Sequence, residues 1–286
     1  MHPPAVSPRN PGHEVRAVTI PALLLAVFGA MALVMTLAWA VQGALANGGW
    51  IDVFWTVGSG AVLAAAALVP IDGGAAPTLR QILVAVLVLA WALRLGGYIA
   101  RRVAGHPEDA RYARMRRDWG AAYSRNILGF CLVQAAAAAV LAVSVLLAAY
   151  RPGDGLRATD LGGFAILAAA ILGEGAADAQ MGRFRADPAN RGKVADTGLW
   201  AWSRHPNYFF EWFGWLAYPL IAFDPARPWT LAALAAPAAM YLVLTRGSGV
   251  PPLEAAMLAS RGEAYRAYQA RTNAFFPFPP RKGRAP

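Results

Sequence analysis

Long stretches of this chain contain no charged side chain, among them 17–51, 53–71, 81–93, 126–150 and 161–173. Roughly 20 apolar residues in a helix cross the hydrocarbon core of a bilayer. Inside lipid, every backbone N–H and C=O must be satisfied within helices or a closed barrel. The runs therefore predict an all-α integral membrane protein. Composition agrees, with 57% hydrophobic and 15% charged residues, where soluble domains carry about a quarter charged.

Periodicity and Gly/Pro/Asp punctuation place seven helices, at 19–42, 52–70, 79–99, 127–150, 159–179, 206–223 and 229–246. An amphipathic helix near 252–272 follows. The Pro-rich residues 1–18 read as a disordered tail, 19–280 as the membrane domain and 281–286 as a C-terminal tail. The first apolar run is too long for the core of a cleavable signal, so it reads as a retained span.

The net charge of +10 is carried mostly by arginines in the connections 100–126 and 180–205 and in the C-terminal region. With seven spans these three basic regions share one side. The positive-inside rule makes that side cytoplasmic and the N-terminus external, with Arg9 and Arg16 in the minority. The rule also accounts for the basic charge without a nucleic-acid partner.

Polar residues inside the predicted spans are Asp52, Arg94, Gln134, Glu174, Asp178, Glu211 and Arg246. All fall in the cytoplasmic leaflet of this topology. Charges within a membrane are costly and pair with one another or line a wet cavity. One polar cavity facing the cytoplasm, built by helices 2 to 7, satisfies them together. Cys131 lies in an apolar run and reads as a packing residue; no metal site is expected. The basic stretch RYARMRRDWG reads as an interfacial helix, in contact with lipid headgroups or closing over a ligand.

The densest polar cluster is LWAWSRHPNYFFEW, residues 199–212. Pro206 suits the first turn of a helix, with Ser203 a suitable N-cap. Asn207, Tyr208 and Glu211 are then spaced to share one face. Arg204 and His205 stand at the positive end of that helix, an anion-binding arrangement. The preceding loop adds Arg185, Arg191 and Lys193. The pattern fits a phosphate-bearing ligand whose reactive end reaches inward past Asn207, Tyr208 and Glu211.

SRHPNY with Glu211, preceded by GLW and by Asp178, Gln180, Phe184, Asn190 and Lys193, resembles the C-terminal half of the steroid 5α-reductase superfamily, in its bacterial branch. The likeness runs from about Ile51 to Pro280. It implies a seven-transmembrane-helix bundle in a bacterial inner membrane, with NADPH in the cytoplasm-facing half. The implied activity is reduction of a conjugated C=C bond in a lipophilic enone. Position by position, Asp178, Arg185, Asn207, Glu211 and Arg246 match cofactor-contact positions. Arg204, His205 and Tyr208 lie in the same signature, Asn190 and Lys193 in its preceding loop, and Arg94 matches an arginine on the third helix. The second helix lacks the Gln-Glu pair of animal-type relatives, and the third-helix tyrosine position holds Trp91. Enone reduction sends hydride to the β-carbon, needs a donor for the enolate oxygen and a general acid. Tyr98 is the expected acid, with Asp52 as orienter or donor.

A second likeness competes. RHPNY with the ending GEAYRAYQARTNAFFP also resembles membrane methyltransferases of the isoprenylcysteine and phospholipid type. There Arg204, His205 and Glu254 would hold S-adenosylmethionine. The surplus of cations, Arg185, Lys193 and Arg246, favours a dinucleotide with a 2′-phosphate. A transporter is disfavoured by the absence of a visible inverted repeat.

Overall fold

A computed structural model describes residues 19–70, 76–153 and 155–281. The predicted N-terminal tail, and all of the C-terminal tail except Arg281, lie outside the described residues. Among those described, every regular element is helical. The long helices are α1 (Ile20–Leu45), α2 (Gly49–Leu68), α3 (Leu79–Val103), α5 (Tyr123–Ala149) and α6 (Ala158–Ala186). The expected interfacial helix is α4 (Ala110–Trp119). Short α7 (Leu199–Trp202) leads to α8 (Pro206–Trp215) and α9 (Ala217–Ala222). A 3-10 stretch, Pro228–Leu234, then runs into α10 (Ala235–Arg246), α11 (Val250–Arg261) and α12 (Glu263–Arg271).

Among the described residues, six stretches are long and apolar enough to cross a membrane, which makes the chain an integral membrane protein. The sequence predicts seven. The difference lies at 206–223, where Pro219 has no N–H for the Trp215 carbonyl and its ring crowds that carbonyl. The helix accordingly stops at Trp215 and resumes after Leu216. The expected amphipathic helix at 252–272 is likewise split, at Gly262, whose φ of +54° favours glycine.

Local chemistry sets the helix starts. Thr78 accepts from the Gln81 N–H, and the Gln81 side chain accepts from the Thr78 N–H in return, a capping box. In α1, Thr19 caps and Pro21 follows in the first turn. Helices in lipid associate through close packing of small residues. Gly60 of α2 lies against Ala92 of α3, and Gly96 of α3 against Val57 of α2, so closely that an added Cβ would collide. Leucines on the outer face of α1, such as Leu25 and Leu33, are exposed, as a lipid-facing surface requires. Helix directions alternate, so Val103, Tyr123, Ala186, Pro206 and Arg246 lie at one end, here termed the basic end.

Candidate functional site

α6 and α8 run antiparallel in direct contact. They pack tightly at Gly173, where an added Cβ would collide with the Phe210 ring. The carboxylates beside that contact, Glu174 and Glu211, are thereby drawn to one seam. One turn nearer the basic end, Asn207 Nδ2 donates to Asp178 Oδ1 at 3.3 Å. From α3, Arg94 reaches two carboxylates of α6, 2.5 Å from Glu174 and 2.5 Å from Asp178. One turn deeper on α3, the Trp91 indole N–H donates to Glu211 at 2.9 Å. Trp215 Nε1, four residues on from Glu211, donates to it at 3.0 Å.

The result is a polar pit made by α3, α6 and α8. Arg94 is its outermost member, at 17% exposure against 8% for Glu174 and 7% for Asp178. The pit holds three carboxylates and one guanidinium. The sequence predicts a larger cavity built by six helices. Other polar residues expected in it go elsewhere: Arg246 is exposed and Asp52 latches α4, while the backbone carbonyl of Gln134 accepts from the Trp55 indole.

That latch has two parts. Asp52 accepts from Arg111 at 2.5 Å and from the Tyr112 hydroxyl at 2.8 Å. Glu108 accepts from the Gly48 N–H at 2.8 Å and from Arg116 at 2.8 Å. Partial burial works against the charged form of Glu108, but the Arg116 guanidinium and the Gly48 N–H outweigh it and hold the carboxyl below its usual range. Both oxygens of Asp52 are thus engaged with α4, and no hydrogen bond joins Asp52 to Tyr98. Tyr98 lies instead under Arg94, whose guanidinium carbon is 5.7 Å from the ring centroid.

At the start of α8, Ser203 is not the cap. His205 occupies the N-cap position with Pro206 after it, and the Ser203 hydroxyl donates to the Phe275 carbonyl at 2.8 Å. The anion-binding arrangement expected of Arg204 and His205 is also not presented. Arg204 is 10% exposed and pairs with Glu254 at 2.6 Å. It also donates to the carbonyls of Thr272 at 2.5 Å and Gln269 at 3.3 Å. His205 Nε2 lies 3.2 Å from the same Glu254 oxygen, and its ring stacks on Tyr208. These contacts clasp α11 and α12 onto the entry to α8.

Arg185, Lys193 and Arg246 are exposed and have no ion-pair partner among the described residues. Asn190 lines an open groove of about 440 Å³ with Gln180, Arg183, Phe184, Asp187 and Gly198; its side chain also donates to the Phe184 carbonyl at 3.1 Å.

The opposite end carries a charged cluster that sequence reasoning missed. Arg80, Arg151 and Asp160 are buried together. Asp160 accepts from Arg80 at 3.2 Å, from Arg151 at 2.9 Å and from the Arg157 N–H at 2.6 Å. Arg80 also donates to the carbonyls of Arg151, Gly153 and Gly155, and Arg151 to that of Ile221. Buried charges therefore occupy both ends of the bundle, not the basic end alone. A close reading of spacing could have found Trp215, four residues after Glu211, but no local signal marks Arg80 or Arg151.

The fold and the pit define an all-α integral membrane protein with a charge-rich, partly enclosed site at one end. A family model described as "Protein of unknown function (DUF1295)" matches residues 38–272, and the chain belongs to that family. An uncharacterised protein of Schizosaccharomyces pombe is 33% identical over 99 residues, covering 33% of this chain and 27% of that protein. The match thus spans about a quarter of the relative's length. No solved structure matches the chain.

Proposed function

We propose that this protein is a membrane-embedded, NADPH-dependent reductase of a conjugated C=C bond in a lipophilic, steroid-like or isoprenoid-like enone, of the steroid 5α-reductase superfamily. The DUF1295 family is one associated with steroid 5α-reductase-like proteins. In this reading α8 and α9 together make a seventh crossing. The basic end faces the cytoplasm of a bacterial inner membrane, and the N-terminus lies outside. The observation that carries the proposal is the convergence of Arg94, Asp178, Asn207 and Glu211, from three helices, on one pit beside unpaired surface cations.

The residues fit such a cofactor unevenly. Arg185, Lys193 and Arg246 are free to meet phosphates, whereas Arg204 already spends its donors on Glu254 and two carbonyls. NADPH, when bound, would supply the hydride. Asn207 and Asp178 orient the polar end of the ligand, and Arg94 fixes the carboxylates around it. Tyr98, beside Arg94, is the proton donor of this proposal; Asp52 acts indirectly, by holding α4 at the same end.

A second reading, an S-adenosylmethionine-dependent membrane methyltransferase, is supported by the joining of Arg204, His205 and Glu254. Titration of the purified full chain in detergent with NADPH, NADH and S-adenosylmethionine separates the two. NADPH should bind, and Glu211→Gln and Asn207→Ala should each weaken it by about tenfold or more while the melting temperature is kept. Binding of S-adenosylmethionine with no nucleotide response would contradict the reductase reading.

A further inference from the structure

We infer that the pit at the basic end receives a soft organic cation, the chemistry shared by the ring of an oxidised nicotinamide and by a sulfonium. The inference rests on the pit being a ligand site, and holds whether the ligand is a dinucleotide or S-adenosylmethionine.

The first ground is charge. Glu174 and Asp178 face Arg94, which can balance one of them. Glu211 is left with two indole N–H groups, from Trp91 and Trp215. Neutral donors satisfy its lone pairs without cancelling its charge, and a buried charge without a counter-charge is strongly disfavoured. Among the described residues, no cation other than Arg94 pairs with these three carboxylates. α9 adds only the phenol of Tyr218, and Tyr241 of α10 packs on Trp212. Arg102 and Arg185 are exposed at the rim.

The second ground is independent of the acids. Tyr218 is 1% exposed, and its hydroxyl has no hydrogen-bond partner. It follows Glu211 and Trp215 at helical spacing, and its ring packs on that of Trp215 with centroids 5.4 Å apart. A buried hydroxyl without a partner points to a group yet to arrive.

The third ground is softness. No group of three or more His, Cys, Asp or Glu among the described residues can hold a metal ion. Trp91 and Trp215 meet nearly edge to face, 5.0 Å apart, beside the carboxylate. A delocalised or weakly hydrated cation gains from aromatic faces as well as from carboxylates.

The consequence is a preference within each ligand pair. An oxidised nicotinamide ring carries the positive charge that its reduced form lacks. The sulfonium charge of S-adenosylmethionine is lost with its methyl group. The test is titration of NADP⁺ against NADPH, and of S-adenosylmethionine against S-adenosylhomocysteine, on the full chain in detergent. In one pair the charged member should bind at least about tenfold more tightly. Glu211→Gln and Glu174→Gln, read separately in case one does not fold, should bring that ratio towards one. A preference for S-adenosylmethionine would sustain the inference and overturn the reductase reading. An NADP⁺ to NADPH affinity ratio of one in the unsubstituted chain, still one in both variants while Glu211→Gln weakens the two ligands alike, would overturn the inference and leave that reading standing; it would mean that a bound proton balances the pit. No binding of any of the four would overturn both.

Discussion

The two ends of the bundle bury charge in opposite ways. At the far end, two guanidiniums share one carboxylate, and the surplus positive charge is met by the backbone carbonyls of Arg151, Gly153, Gly155 and Ile221. At the basic end, three carboxylates share one guanidinium, and the surplus negative charge meets indole N–H groups and one amide. Carbonyl dipoles offset positive charge, so the far cluster balances its charge within the protein, with only the Nε of Arg151 left without a partner, and acts as a structural rivet. The pit is not complete in that sense, and this separates a site from a staple more clearly than the number of charges does.

The comparison is sharpest under mutation. Asp160→Ala leaves two buried guanidiniums facing each other and should cost about 3–5 kcal/mol, read as a large fall in melting temperature or as failure to accumulate. Arg204→Ala should cost about 2 kcal/mol, with faster hydrogen exchange confined to α11 and α12. If exchange rose evenly through the bundle, the clasp would not be a local feature. Glu211→Gln removes an unbalanced charge and should change stability by under about 1 kcal/mol while weakening the ligand. Arg246→Ala, at an exposed site, should stay within about 0.5 kcal/mol.

The latch of α4 gives a pH prediction. The carboxyl of Glu108 is held below its usual range, so its contribution is in place at neutral pH. It should start to fall as pH drops through about 4.3 and be lost below the depressed value. A spin label at Arg117→Cys, with the buried Cys131 replaced by Ala, should become more mobile across that window. Unchanged mobility would mean that Asp52 and Tyr112 suffice to hold α4.

Much of the pit is legible in the sequence because helical spacing is local. Asn207 and Glu211 share a face by being four apart, and the charges of α6 and α3 stand out in apolar runs. What is not legible is long-range. Arg204 meets Glu254 across 50 positions, and nothing in SRHPNY shows that its arginine is already engaged. Arg80, Arg151 and Asp160 sit at helix ends, where a charge reads as solvated; the structure buries them because the backbone between α5 and α6 wraps Arg80, with the carbonyls of Arg151, Gly153 and Gly155 accepting from it. The break after Trp215 does have a local signal, Pro219, which a purely hydrophobic reading of 206–223 passes over.

The most direct test sets the two ends side by side. Asp160→Asn and Glu211→Gln each remove one buried negative charge at near-constant shape, and each is measured for melting temperature and for NADPH binding. The prediction is a double dissociation: Asp160→Asn loses stability and binds normally once folded, whereas Glu211→Gln keeps its stability and loses binding. Equal destabilisation by both, with binding unaffected in Glu211→Gln, would make the pit a second rivet and contradict the account.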